Sequence, residues 1–170
     1  MSAPSLTAPL VEVEIVVNIA DFAVASGPSV LVTAGLGSCV AVALHDPATG
    51  IAGLAHVLLP SAGFGPPSIH PAKYADTGVA LLAEELRRRG AAQNRLVAKL
   101  AGGARMFAVL LPAGINMGQR NIDATRKALY KLNIPVVAED VGGEYGRSVR
   151  IVAATGVMTV HSLAGGDREL

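Results

Sequence analysis

The chain has 170 residues, enough for one domain with a sizeable core, and 51% of them are apolar while only 4% are aromatic, so that core is built mainly from Val, Leu, Ile and Ala. A formal net charge of +1 offers no general field for nucleic acid or an anionic membrane. A single cysteine rules out an internal disulfide framework and fits a reducing compartment.

Residues 1–10 are short, small and polar, with no basic residue ahead of an apolar stretch, so they read as a flexible N-terminus and not as a signal peptide. A single domain is expected over residues 11–165. Glycine, proline or charge interrupts every apolar run, so no direct membrane insertion is expected and the protein should be cytoplasmic. Residues 11–19 alternate Val11, Val13, Ile15 and Val17 against Glu12, Glu14 and Val16, the period of a half-buried strand. A second short strand is expected over 22–25 and a third over 30–33.

The most informative stretch follows. Gly35, Gly37 and Ser38 precede Cys39, the only cysteine, and Val40, Val42 and Leu44 alternate after it. Glycines at that point allow a sharp turn and a close approach by another group. Asp46-Pro47-Ala48-Thr49-Gly50 carries turn signals at each position, so a hairpin is expected. With the turn centred on Pro47-Ala48, Cys39 and His56 stand directly opposite and share a face; a one-residue slip would separate them. An imidazole beside a thiol removes its proton, stabilises the thiolate and can protonate a leaving amine. The N–H groups of the Gly37-Ser38-Cys39 turn would serve as an oxyanion hole, and the Thr33 hydroxyl could hold the imidazole. Residue types alone leave a second reading open, with Cys39 a small buried apolar side chain and His56 a satisfied core histidine.

Residues 61–72, rich in Gly and Pro, read as a loop and a candidate rim or lid; His70 within it reads as an exposed loop histidine. His45, His56, His70 and His161 show no metal-ligand spacing, so no metal is expected. Val79, Leu82 and Leu86 predict a helix over 73–89, with Arg87, Arg88 and Arg89 compensating its dipole and Gly90 ending it. A strand is expected over 96–100, then a Gly102-Gly103 turn, then a further apolar strand or irregular segment over 106–111. Ile122, Leu129 and Leu132 predict a second helix over 117–131, followed by a strand over 134–138. Glu139 and Asp140 are adjacent on a strand and point to opposite faces, so they do not form an acid/base pair. The 142–147 turn is either a second wall of the site or a plain hairpin loop. A closing hairpin is expected from 148–153 and 157–162 about Thr155-Gly156. Patterning thus gives a mixed α/β class, strand-rich, with two main helices.

The segments Gly35-Leu36-Gly37-Ser38-Cys39-Val40 and Gly53-Leu54-Ala55-His56-Val57-Leu58-Leu59-Pro60, joined by Asp46-Pro47-Ala48-Thr49-Gly50, resemble the signature of the CheD family of chemoreceptor glutamine deamidases. Lys73-Tyr74-Ala75-Asp76, Ala98-Lys99-Leu100, Gly102-Gly103-Ala104, Gly118-Gln119-Arg120-Asn121, the run from Ala138 to Gly143, and Gly146-Arg147 match in the same order. Ala101 and His45 depart from the pattern, where a bulky apolar residue and an aromatic would be expected. The resemblance implies a layered α/β sandwich akin to the cysteine deamidases, a catalytic set carried onto Cys39, His56 and Thr33, and no cofactor. It implies hydrolysis of glutamine side chains to glutamate on the cytoplasmic helices of methyl-accepting chemotaxis receptors, through a thioester. The competing expectation is a chemotaxis regulator that binds a CheC-type phosphatase of CheY and uses the site region as a docking surface.

Overall fold

The computed structural model describes residues 12–106, 109–110, 112 and 114–170. The expected flexible segment 1–10 lies outside them, as do parts of the expected strands over 11–19 and 106–111. Ten strands form two five-stranded sheets. One sheet runs β1 (Glu14–Val16), β3 (Val30–Leu36), β8 (Arg147–Val152), β9 (Met158–Ser162), β10 (Gly166–Glu169), and the other runs β2 (Phe22–Ser26), β5 (Ile51–Val57), β4 (Val40–Asp46), β6 (Val97–Gly102), β7 (Val136–Val141). Helices α1 (Ala75–Arg88) and α2 (Met117–Lys131) cover the outer face of the second sheet. The result is three layers, helices on sheet on sheet, which is the strand-rich α/β sandwich expected.

Burial follows from that layering. β4 and β5 are buried at every position, because one face meets helices and the other meets a sheet. β8 alternates buried with half-buried residues, because only one face of its sheet is covered. Between helices and sheet pack Val40, Val42, Leu44, Val57, Val79, Leu82, Leu86, Ile122 and Leu129. Between the sheets pack Leu31, Leu36, Cys39, Ala41, Ala43, Ala52, Leu54, Ala101, Val149 and Met158. The second set is notably alanine-rich, and Ala101 belongs to it. The helix α2 is capped by Asn116, whose Oδ1 accepts from Gln119 N–H at 3.0 Å.

Three features depart from the sequence reading. The 46–51 connection is a four-residue loop, with Gly50 in the left-handed region, and Asp46 Oδ1 accepts from Ala48 N–H at 3.0 Å while Arg95 grips both carboxylate oxygens. The β4–β5 register is therefore Ala41 opposite His56 and Val40 opposite Val57, so Cys39 is not directly opposite His56. β1 has only three residues, since its parallel pairing with β3 ends at Val16 opposite Val32. Of the two alternatives for 106–111, the described residues between Met106 and Asn116 fit the irregular segment and form no strand. Beyond residue 165 the chain adds β10, paired with β9.

Gly118 sits where α2 presses on the loop after β6: a Cβ there would lie 2.3 Å from Gly103 O and 2.4 Å from Ala104 O. Backbone atoms cannot swing aside. Gly118→Ala should therefore lower stability by about 1–3 kcal/mol through overpacking, outweighing the roughly 1 kcal/mol that alanine adds to helix propensity. Urea unfolding curves would show the midpoint fall, with the slope unchanged.

Candidate functional site

The site grows out of a defect in β3. Thr33 pairs with Val149 and Leu36 with Arg147, so three steps on β3 match two on β8: a bulge at Ala34-Gly35, with Gly35 at φ +72°. That extra residue turns both Thr33 and Leu36 into the layer between the sheets, where Thr33 is 2% and Leu36 0% exposed. It also bends the chain into the Gly37-Ser38-Cys39 turn.

His56 meets Thr33 across the two sheets. His56 Nδ1 lies 2.8 Å from Thr33 Oγ1, and Thr33 Oγ1 donates to Val17 O at 2.7 Å. A hydroxyl has one proton. Because the Val17 carbonyl takes it, Oγ1 must accept from His56, so the Nδ1 carries the ring proton and Nε2 keeps its lone pair. That Nε2 is buried and has no partner among the described residues. Cys39, Ala41 and Ala43 share the inter-sheet face of β4, and His56 lies opposite Ala41, two residues along from Cys39. The shift from the expected register is thus two residues, which preserves the face. Diagonal neighbours on paired strands stand roughly 7–8 Å apart, within reach of an imidazole.

The turn itself is held by its carbonyls. Ala104 N–H donates to Gly37 O at 2.9 Å, Asn121 Nδ2 to Ser38 O at 2.8 Å, and Gly103 N–H to Cys39 O at 2.7 Å. Gly102 and Gly103 both take positive φ here, and a Cβ on Gly102 would lie 2.4 Å from Cys39 O. In front of the turn is a cavity of about 460 Å³, lined by Gly37, Ser38 and Cys39 and walled by Met106, Ile115 and Met117. The expected 61–72 lid contributes nothing to this lining, whereas Gly146, from the 142–147 turn, does. Arg147 fixes that turn: buried itself, it binds Asp140 Oδ1 at 3.0 Å and Gly142 O at 2.7 Å. Asp140 and Glu139 do face apart, Glu139 pairing with Arg126 on α2.

Burial sets the protonation state. It pushes the Cys39 thiol above its ordinary value, an effect partly offset by the residue's own backbone N–H, and it pushes the His56 imidazole down. Both shifts favour a neutral resting pair, thiol and imidazole, over an imidazolium-stabilised thiolate. The remaining histidines stay apart: His45 donates from Nε2 to Ala153 O at 3.0 Å, and His161 pairs with Asp167. Asn121, fully buried, is the site residue that sequence reasoning did not single out. Its only signal was the Gly118-Gln119-Arg120-Asn121 match.

A cysteine and a threonine-held histidine on one layer of an α/β sandwich have the parts of a thiol-nucleophile site. Residues 58–162 match the family model described as CheD chemotactic sensory transduction. A Thermotoga maritima protein named chemoreceptor glutamine deamidase CheD is 45% identical over 153 residues, covering 90% of this chain and 94% of that one. A probable chemoreceptor glutamine deamidase, CheD 2, of Geobacter metallireducens is 50% identical over 149 residues, covering 86% and 92%. The chain belongs to the CheD family. Among solved structures, the Bacillus licheniformis hypothetical protein YfiH aligns with a TM-score of 0.42 at 16% identity over 71% of this chain and 49% of that one, too loose a likeness to carry an argument.

Two outcomes follow from this geometry. Thr33→Val leaves Val17 O and His56 Nδ1 without a partner in a dry layer and should cost about 1–3 kcal/mol in urea unfolding, while Thr33→Ser, which keeps the hydroxyl, should stay near the native value. Cys39 alkylation by iodoacetamide should accelerate with a midpoint above the 9.0 of a free thiol. A midpoint below about 7, the range of thiols activated in the resting state, would contradict the neutral pair.

Proposed function

We propose that this protein hydrolyses the side-chain amide of specific glutamines on methyl-accepting chemotaxis receptors, giving glutamate and ammonia. The observation that carries the reading is the free Nε2 of His56, held by Thr33 on the face that Cys39 shares, in a chain belonging to a family whose relatives are named chemoreceptor glutamine deamidases. As the carboxamide enters the cavity, Cys39 Sγ attacks its carbon and the thiol proton passes to His56 Nε2. The N–H groups of the Gly37-Ser38-Cys39 turn receive the oxyanion. His56 gives the proton to the departing nitrogen, the C–N bond breaks and ammonia leaves a thioester. Water then attacks that carbon, its proton passing to His56, and the C–S bond breaks to release glutamate and restore the thiol. Thr33 keeps the ring in the tautomer that both steps need. No cofactor enters the scheme.

The product carries a negative charge where the substrate was neutral, so the reaction alters a receptor helix electrostatically. Val109 and Leu110 are largely exposed and lie in sequence between Met106 and Ile115, which wall the cavity, so this segment carries apolar side chains suited to contact with a protein surface. A receptor helix is the occupant we assign to it, and a CheC-type phosphatase is the competing one. We place the reaction in the cytoplasm, on the receptors' cytoplasmic helices. Among the described residues, no helix is long and apolar enough to cross a membrane.

Peptide mass spectrometry of a receptor cytoplasmic fragment incubated with the protein tests this. Native protein should convert particular glutamines to glutamate, Cys39→Ser should convert none, and His56→Ala should be slower by about 10²–10⁴-fold, the usual worth of a general acid/base. A fragment that binds but is left unchanged by native protein would favour the regulator.

A further inference from the structure

Asn121 lies behind the catalytic turn, on α2, with its side chain wholly buried. Its Nδ2 donates to two carbonyls at once, Ser38 O at 2.8 Å and Leu58 O at 3.1 Å. Two acceptors facing one group fix the orientation of the amide, since the flipped form would set Oδ1 against two carbonyl oxygens. The identity of those carbonyls matters more than their number. The β4–β5 ladder ends at Val40 opposite Val57, so in the same register Cys39 would stand opposite Leu58, one pair beyond the last. Asn121 joins the residue before the cysteine to the residue across from it. It closes the open end of the hairpin where no backbone bond does.

We propose that Asn121 is a positioning residue that aims the Cys39 N–H as an oxyanion donor by holding the Ser38 carbonyl. In a planar trans peptide the C=O of one residue and the N–H of the next point in opposite directions. The chain has no cis peptide among its described residues. With Ser38 O drawn back onto Asn121, the Cys39 N–H is turned away from α2's buried amide. Ser38 and Cys39 line the cavity, and Asn121 does not. The Cys39 N–H offsets part of the rise that burial imposes on the thiol. The Gly37–Ser38 peptide is held differently, its Gly37 carbonyl accepting from Ala104 N–H at the cavity wall, so Ser38 and Cys39 supply two successive held donors and Asn121 sets the second. Without the amide, the peptide between Ser38 and Cys39 would be free to rotate and the second donor would be lost.

This rests on the reading of Cys39 as a nucleophile, and two small probes separate the two ideas. Acylation of Cys39 by p-nitrophenyl acetate forms an oxyanion; alkylation by iodoacetamide forms none. Asn121→Ala should slow acylation by about 10²-fold, the scale of one lost oxyanion donor, while alkylation changes less than about threefold on that scale. Asn121→Ser, the smaller truncation with a hydroxyl in place of the amide, should also lose acylation selectively. Leu129→Ala loosens α2 without touching the turn and should leave the ratio of the two rates at its native value. Equal slowing of both probes, or an altered ratio in Leu129→Ala, would overturn the assignment in favour of general packing. So would native acylation by Asn121→Ala, or failure of Asn121→Ser to fold when Leu129→Ala folds. If native protein neither acylates nor deamidates a receptor fragment, the nucleophile reading itself falls; if it does both, only Asn121 is at stake.

Discussion

One hydrogen-bonded relay spans the layer between the sheets: His56 Nδ1–H to Thr33 Oγ1, and Thr33 Oγ1–H to Val17 O. The rest of the site depends on it, because a buried polar group without a partner costs more than a made bond returns. Each member comes from a different part of the fold, Val17 from just past β1, Thr33 from β3 and His56 from near the end of β5. The relay therefore requires both sheets to be assembled and in register. Small side chains make room for it: Ala41, Ala43, Ala52 and Ala101 fill much of the same layer. A bulky residue at Ala101 would compete for that space, so in this chain the departure from the family pattern belongs with an alanine-rich interface.

The helices serve the site from outside. Gly118 brings the start of α2 against Gly103 and Ala104, and Asn121, one turn along, reaches the turn and the hairpin end. Substituting the glycine would move the asparagine. The Gly-Gly after β6 is the other half of that fit, since Gly102 passes close beneath Cys39 O and Gly103 donates to it. A pair that looks like a weak phosphate-loop signal in sequence is here a close-approach element.

Legibility in the sequence followed side-chain pattern. Both helices were readable because apolar residues recur on one face, with Gly90 marking the end of the first, and β4 and β5 because their apolar runs flank strong turn residues. β10 was not, since Gly166-Asp167-Arg168-Glu169 is wholly exposed and joins the sheet through backbone pairing and surface ion pairs, with no apolar face to read. β1 was overextended because alternation reports faces, not where a partner strand stops. In the site, Cys39, His56 and Thr33 could be named from residue type and family likeness, but the register that joins them turned on loop length, four residues in place of two. Asn121 was opaque for a different reason: it acts on main-chain carbonyls, and nothing in its neighbours' identities announces that.

Neutrality of the resting pair is a consequence of the same burial that orders the relay. Charge separation between Cys39 and His56 is disfavoured in a layer lined by Ala, Leu and Val. In the reaction we propose, transfer of the thiol proton becomes favourable once the negative charge can move onto the substrate oxygen and meet the turn amides. A thiol left neutral until then is a poor target for stray oxidants and electrophiles, whose attack depends on thiolate. In the proposed mechanism the fold thus ties reactivity to occupancy: the turn amides assigned to the anion lie at the cavity, and the anion forms when a carboxamide fills it.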